Sequence, residues 1–321
     1  MEPFFIIGPP KTGTTILTRL IVQHPEVTSI SESYVLEPDR PGSIANPSGT
    51  NWKQHGFEPE QAEHWRSELR TKDPSEALQS ILNDAWQRMK GKTTAQVFGD
   101  SWPFYFNYLD SLEKAFPNAK FIYTTRDPRA VYWSGETFRN RRQGPWNSQL
   151  LLSGDRQTRP FIEKFQRQTL IVHYEDLIQH AGNEMERIWS HIGVDASRGY
   201  IEYDPDQDPW PERWSFIPNA TKPIDPTRPA RWKNEMPEEI SKVMSIAAAD
   251  YMKQWEYPLD LPQGKINAEM VSSAFLCGAP LNMFGGKGEG IVRNALYQER
   301  QQRMIQGDIE NILLGIRNNS A

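Results

Sequence analysis

Near its start the chain reads Phe4-Phe5-Ile6-Ile7-Gly8-Pro9-Pro10-Lys11-Thr12-Gly13-Thr14-Thr15. The apolar run that ends at Gly8 predicts a buried parallel strand. Apolar residues recur on one helical face from Thr14 to Gln23, which predicts a helix. The turn between them places Lys11 and threonine hydroxyls beside the unpaired N–H groups and the positive dipole end of that helix. The segment therefore predicts a site for a phosphate-like anion.

The turn differs from the P-loop of nucleoside-triphosphate hydrolases in the place of its lysine. The spacing from Gly8 to Gly13 fits that motif, but Thr14 stands where the lysine belongs, and the lysine is Lys11. A P-loop enzyme also needs a carboxylate for magnesium after another strand. Asp100, after Val97-Phe98-Gly99, could supply it. A P-loop nucleotide kinase or another NTP-binding protein therefore stays an alternative.

Strands and helices alternate along most of the chain, which predicts an α/β fold of three layers, a central parallel sheet with helices on both faces. A further strand is predicted just before Glu32, and no element is assigned between residues 140 and 168. The other predicted strands are Gln96–Gly99, Lys120–Thr125 and Thr169–His173. The other predicted helices are Gln61–Arg70, Ser75–Lys90, Phe104–Ala115, Pro128 to about Arg139, Glu175–Ile192 and Pro237–Gln254.

A second candidate phosphate site follows the strand Lys120–Thr125. Arg126 stands at the carboxyl end of that strand, the edge where ligands bind in open α/β sheets. Ser134 lies eight residues later, two turns along the next helix. An arginine binds phosphate through two hydrogen bonds, and a serine two turns further along can add a third contact.

Both motifs resemble those of one enzyme family. Pro10-Lys11-Thr12-Gly13-Thr14-Thr15 resembles the 5′-phosphosulfate loop of sulfotransferases that use 3′-phosphoadenosine 5′-phosphosulfate (PAPS), and Arg126 with Ser134 resembles their 3′-phosphate motif. The chain is thus identified as a member of this family, nearest in pattern to its tyrosylprotein/carbohydrate branch. The resemblance runs from about Phe4 to about Pro262 and implies the P-loop-like sulfotransferase fold, PAPS as the donor and no metal.

The resemblance extends to two further segments. Tyr174, in His173-Tyr174-Glu175-Asp176-Leu177, is similar to the family's tyrosine that contacts the nucleotide. Arg231-Trp232-Lys233 is similar to the family's loop that closes over it. The implied nucleotide-binding residues are Pro10, Lys11, Thr12, Gly13, Thr14, Thr15, Arg126, Ser134, Tyr174, Arg231, Trp232 and Lys233.

Sulfuryl transfer to a hydroxyl needs charge stabilisation and a base. Lys11 is the expected stabiliser of the leaving oxygen. Glu32 matches the catalytic glutamate of the tyrosylprotein branch, and Asp100 matches an acidic position in related carbohydrate sulfotransferases, although Ser101 and Trp102 depart from that motif. Of these two carboxylates, we predict Glu32 rather than Asp100 to be the catalytic base. The plainer alternatives are a surface acid for Glu32 and a helix cap for Asp100.

Composition limits the remaining function classes. A net charge of −5 lacks the overall basic footprint of a nucleic-acid-binding protein. No apolar stretch reaches the roughly 18 residues of a membrane span, and the single Cys277 allows no internal disulfide, so we expect a cytoplasmic protein. The hydroxyl acceptor stays open among carbohydrate, phenol or tyrosine, lipid and natural product. Tryptophans that could stack on its rings, or could equally be core, are Trp52, Trp65, Trp102, Trp146, Trp210 and Trp214.

The domain prediction divides the chain at residue 262. Residues 1–262 form the sulfotransferase domain, and residues 263–321 form a C-terminal extension. The extension has a Gly-rich break and then an amphipathic helix with Ile305, Ile309 and Ile316 on one face. That helix could dock on the domain or join two copies in a homodimer. A non-catalytic binding protein on the same fold is the second alternative.

Overall fold

A computed structural model describes residues 3–40, 43–46, 57–90, 95–138, 143–202, 204 and 221–259. The predicted C-terminal extension lies outside these residues. The described residues form two compact units. The first unit runs to Arg126 and continues from Gln157 to Pro226, and the second contains Asp127 to Arg156 and the residues from Thr227 onward.

The first unit is built on a parallel sheet in the order β2-β3-β1-β4-β5. The chain moves from β1 to one side of the sheet for β2 and β3, and then to the other side for β4 and β5. The order therefore changes direction between β1 and β4, the kind of point where open α/β sheets bind ligands. The described strands are β1 (Phe4–Ile6), β2 (Val27–Ser31), β3 (Val97–Ser101), β4 (Lys120–Thr125) and β5 (Thr169–His173).

Helices cover both faces of this sheet because successive strand residues point to opposite sides. Phe4 and Ile6 pack in a fully buried cluster with Leu17, Ile188 and their neighbours from α1 (Thr14–Ile21) and α8 (Ala181–Ile192). Phe5 faces the other way, toward α3 (Pro74–Lys90) and α4 (Leu109–Ala115). Its ring lies 6.5 Å from that of Trp86 and 5.4 Å from that of Phe116. The predicted parallel α/β architecture is confirmed.

The described helices differ in detail from the prediction. The segment from Glu175 to Ile192, predicted to be mostly helical, forms α7 (Tyr174–Gln179) and α8, with a break at His180, where φ is −131°. The helix predicted from Phe104 begins as a 3-10 turn before α4. The prediction missed α6 (Gly144–Lys164) entirely, a 21-residue helix that contains Pro160. The helix predicted as Gln61–Arg70 is α2, which spans Pro59–Thr71.

The second unit is helical in its described part. α5 (Pro128–Thr137) begins at an Asp127 N-cap, whose side chain accepts a hydrogen bond from the backbone N–H of Arg129. The other helices of this unit are α9 (Arg231–Glu235), α10 (Glu238–Ala247) and α11 (Ala249–Gln254), where one helix from Pro237 to Gln254 was predicted. Trp255 donates its indole N–H to the buried Asp155 carboxylate at 2.7 Å.

Candidate active site at the carboxyl edge of the sheet

The loop between β1 and α1 is held to β4 by its own threonine. Thr12 is fully buried, its Oγ1 donates to the carbonyl of Pro9 at 2.6 Å, and it lies 2.6 Å from Oγ1 of Thr124. The hydroxyl of Thr12 therefore supports the loop from inside. Lys11, immediately before it, is half-buried and has a left-handed backbone with φ 70°. Such a backbone is unusual for a residue other than glycine and is often found in functional loops.

Gly13 ends the loop in a conformation that favours glycine. It is the N-cap of α1 with φ 98°, and a Cβ built on it would lie 2.5 Å from Cδ2 of Tyr174. The first turn of α1 contains no acidic residue, and no side chain caps it. Its N-terminal N–H groups and dipole can therefore face an anion. Pro10 and Thr14 are buried in this unit, and Thr15 is half-buried.

Arg126 joins this loop to the end of β4. Its Nη1 donates to the backbone carbonyl of Lys11 at 2.9 Å, and its guanidinium lies 4.0 Å from the ring centroid of Tyr174. Both Arg126 and Tyr174 are largely buried. The predicted loop, arginine and tyrosine thus meet where the strand order changes direction, between β1 and β4.

The two candidate bases lie near the carboxyl ends of neighbouring strands, with Asp100 in β3 and Glu32 directly after β2. β2 pairs in parallel with β3, with Ile30 opposite Asp100 and Ser31 opposite Ser101. Glu32 is the next residue, and its N–H donates to the carbonyl of Ser101 at 2.6 Å. Because β3 is also the neighbour of β1, both residues lie at the edge of the sheet that carries the loop between β1 and α1.

Asp100 is fully buried and its carboxylate is occupied by donors of this unit. Its Oδ2 accepts hydrogen bonds from the hydroxyls of Ser33 and of Tyr105, the latter at 2.5 Å, and its Oδ1 accepts the backbone N–H of Ser101 at 2.8 Å. Burial raises the pKa of Asp100 to about 6, and these hydrogen bonds oppose the rise. The carboxylate does not cap a helix, which was the plainer prediction for it.

Glu32 is more open than Asp100. Its side chain is half-buried, and its Oε2 accepts a hydrogen bond from the Tyr34 hydroxyl at 2.5 Å. Burial and the adjacent Glu32 carboxylate raise the pKa of the Tyr34 phenol, so Tyr34 stays a donor. Of the two candidates, Glu32 has the side chain that an acceptor hydroxyl could reach.

The remaining predicted residues belong to the second unit. Ser134 is half-buried on α5. The Arg231 guanidinium pairs with Glu235 at 2.9 Å. Trp232 is buried, with the guanidinium of Arg129 4.3 Å from its ring centroid and Nζ of Lys233 5.9 Å from it.

The prediction missed several side chains that position the candidate residues. Tyr34 could have been predicted to contact Glu32 because it lies only two residues after it. Thr124 precedes a predicted site residue by two positions and carries a hydroxyl toward the loop. The supporting residues absent from the prediction are Ser33, Tyr34, Tyr105, Thr124 and Arg129.

The described residues were also compared with the requirements of a metal site and of a membrane-spanning helix. Within the described ranges, no group of three His, Cys, Asp or Glu side chains could hold a metal ion. No helix in that part of the chain is both long and apolar enough to cross a membrane.

Trp65 and Trp102 are fully buried, whereas Trp146 is 48% exposed. Trp52, Trp210 and Trp214 lie outside the described residues.

Comparison with known proteins defines the class of this protein. The model of the sulfotransferase family matches residues 3–198, which is more than half of the chain. That range contains the loop between β1 and α1, both candidate bases, Arg126 and Tyr174. The chain therefore belongs to the sulfotransferase family and is a transferase by class.

Particular relatives are distant in sequence. The chain is 23% identical over 341 residues to the nodulation protein NoeE of Sinorhizobium fredii, covering 93% of this chain and 79% of that protein. It is 26% identical over 276 residues to protein-tyrosine sulfotransferase A of Caenorhabditis elegans, covering 77% of this chain and 65% of that protein.

Solved structures share the fold. The sulfotransferase domain of the Synechococcus PCC 7002 olefin synthase aligns with a TM-score of 0.60 at 21% identity, over 82% of this chain and 96% of that domain. The sulfotransferase domain of the curacin biosynthetic pathway aligns with a TM-score of 0.57 at 16% identity, over 81% of this chain and 99% of that domain. The predicted sulfotransferase fold is confirmed.

Proposed function

We propose that this protein transfers a sulfuryl group from PAPS to a hydroxyl acceptor. The observation that carries the proposal is the junction between β1 and β4, where Arg126 contacts both the carbonyl of Lys11 and the ring of Tyr174. A helix N-terminus with a lysine beside it suits the phosphosulfate end of a nucleotide. A largely buried arginine next to it suits a further phosphate group.

Lys11 is the proposed stabiliser of the oxygen that leaves with the nucleotide. The S–O bond to the bridging oxygen of the donor breaks, and negative charge develops on that oxygen. An ammonium group preorganised at this place stabilises the transition state more than the ground state. The sulfuryl group carries less charge than a phosphoryl group, so the proposed reaction assigns no step to a metal.

Glu32 is the proposed base. As the acceptor oxygen forms its bond to sulfur, its proton passes to the carboxylate of Glu32. The half-buried side chain of Glu32 favours this role over that of Asp100, which is fully buried and accepts hydrogen bonds from Ser33, Tyr105 and Ser101. We assign Asp100 to the support of this edge.

Four further nucleotide contacts are proposed from the sequence resemblance alone. Ser134 would bind the 3′-phosphate group as part of the Arg126 motif. Trp232 and Lys233 would contact the nucleotide, together with Arg231. The pairing of Arg231 with Glu235 within α9 means that nucleotide binding by Arg231 would compete with this ion pair.

Binding of adenosine 3′,5′-bisphosphate, the product of the proposed donor, tests the donor assignment. We expect calorimetry to detect binding in EDTA, and ATP with magnesium to bind much more weakly. Binding of ATP only with magnesium would instead support the NTP-binding alternative. Binding of the bisphosphate without any turnover across acceptors would support the non-catalytic alternative.

The acceptor class is tested with labelled PAPS and a panel of hydroxyl compounds. The panel contains a tyrosine peptide, a simple phenol, an oligosaccharide, a hydroxylated lipid and a polyketide-like alcohol. A tyrosine peptide is included because several proteins similar to this chain are named protein-tyrosine sulfotransferases. Labelled product with any member supports sulfuryl transfer to a hydroxyl.

A further inference from the structure

The turn after β2, defined here as the Glu32–Tyr34 turn, has an unusual backbone. Glu32 has φ 55° and Tyr34 has φ 48°, so two residues with side chains occupy the left-handed region within three positions. Each such residue costs about 1 kcal/mol or more. A turn of this kind persists only where surrounding contacts hold it in place.

Buried hydrogen bonds hold the middle of the turn. The hydroxyl of Ser33 donates to Oδ2 of Asp100, and the carbonyl of Ser33 accepts the backbone N–H of Ile44 at 2.9 Å. On one side, the backbone N–H of Glu32 is held by Ser101 at 2.6 Å. On the other side, the hydroxyl of Ser43 donates to the carbonyl of Tyr34 at 2.9 Å. The backbone that carries Glu32 is therefore held by the neighbouring strand β3 and by the loop that follows the turn.

The ring of Tyr34 is held on two sides. The guanidinium of Arg40 lies 3.8 Å from its centroid, and the ring of Trp102 meets it edge-on at 5.8 Å with an interplanar angle of 76°. Arg40 in turn pairs with Glu37 at 3.0 Å. A ring fixed in this way directs its hydroxyl to one place, which is Oε2 of Glu32 at 2.5 Å.

We propose that Tyr34 is a positioning residue for Glu32, a role that rests on the proposed function of Glu32 as the base. The Tyr34 hydroxyl occupies Oε2 and leaves Oε1 to accept the proton of the acceptor hydroxyl. The bond from the acceptor oxygen to sulfur forms as the sulfur–oxygen bond of the donor breaks, and the proton stays on Oε1. Tyr34 keeps its own proton throughout.

The test measures kcat, the acceptor KM and bisphosphate affinity for Tyr34→Phe, using an acceptor found with the panel. Loss of orientation is expected to lower kcat about ten- to a hundredfold. The acceptor KM and the affinity for adenosine 3′,5′-bisphosphate should stay unchanged. Tyr108→Phe is the matched control, because Tyr108 stacks on Trp102 at 5.2 Å in the same aromatic cluster and should keep wild-type kcat.

A double-mutant cycle with Glu32→Gln separates positioning from a structural role. If Tyr34 acts through Glu32, Tyr34→Phe should lower kcat in the wild-type background and cause no further loss in the Glu32→Gln background. An equal loss in both backgrounds, or a wild-type kcat for Tyr34→Phe beside a strongly lowered kcat for Glu32→Gln, overturns the positioning role alone. Wild-type kcat for Glu32→Gln overturns the proposed base itself.

Discussion

Lys11 brings together a left-handed backbone, a carbonyl bound by Arg126 and a charged side chain. The carbonyl contact depends only on the backbone, so a change of side chain should leave the loop in place. This separation of backbone and side-chain roles makes Lys11 suitable for a direct test of the proposed chemistry.

Lys11→Ala is expected to lower kcat by about 10²- to 10³-fold, because it removes charge stabilisation from the leaving oxygen. Steady-state kinetics with labelled PAPS provides the measurement. Lys11→Arg should retain part of the activity, since it keeps a cation at this position. Lys72→Ala, which removes an exposed lysine paired with Glu68 on the surface, should behave as wild type. Wild-type kcat for Lys11→Ala would contradict the assigned role.

Asp100 should make the free energy of unfolding depend on pH. Its pKa of about 6 in the folded protein lies above the usual value near 4 of an unfolded chain. Folding therefore favours the protonated form, and the stabilisation from this group is complete below about pH 4 and lost as pH rises through about 6.

Urea unfolding of wild type and Asp100→Asn between pH 4 and pH 7.5 checks this dependence. The free energy of unfolding of wild type, minus that of the variant, is expected to fall as pH rises. The fall should be at most about 3 kcal/mol, since one pKa unit equals about 1.4 kcal/mol. A difference that stays constant, or rises with pH, would show that Asp100 is ionised at little cost in the folded protein.

At the scale of elements, the β1–α1 unit depends on Gly13. A Cβ at this position would need the left-handed backbone and would also meet the Tyr174 ring at 2.5 Å. Gly193, at the end of α8, has a similar φ of 88° but nothing within 4 Å of its would-be Cβ. The two glycines thus separate the cost of the backbone from the cost of the contact.

Gly13→Ala and Gly193→Ala should each lose about 1–2 kcal/mol of unfolding free energy from the backbone conformation. Only Gly13→Ala should also weaken binding of adenosine 3′,5′-bisphosphate, since it displaces Tyr174 from the loop and from Arg126. Denaturant titration and calorimetry measure the two effects. Equal bisphosphate affinity in both variants would argue against a nucleotide site at this loop.

Elements were predictable where a local pattern carries their signal. β1 and β4 are dense apolar runs, and their ends follow from the glycine and the arginine after them. α6 had no such signal, because Pro160 lies inside it and its composition is mostly polar. Tertiary packing of residues such as Leu151 and Phe161, both buried, stabilises a helix that local preference alone does not indicate.

At the scale of the whole molecule, the proposed domain boundary at residue 262 can be tested by truncation. The chain ending at residue 262 is expected to bind adenosine 3′,5′-bisphosphate as tightly as the full chain, since the matched family region ends at residue 198. If the C-terminal helix joins two copies, light scattering should find a dimer for the full chain and a monomer for the shortened chain. Loss of bisphosphate binding on truncation would contradict the boundary, and an unchanged oligomeric state would contradict dimerisation through the C-terminal helix.

Local sequence was enough to predict β1, the loop after it and α1, because these three segments are contiguous and each carries its own local pattern. The support of the site comes from far along the chain: Thr12 meets Thr124 at a separation of 112 residues, and Arg126 meets Lys11 at 115. These contacts depend on the strand order β2-β3-β1-β4-β5, which no local pattern encodes. The same order buries Asp100 and leaves Glu32 half-buried, so burial separated two carboxylates that looked alike in the sequence.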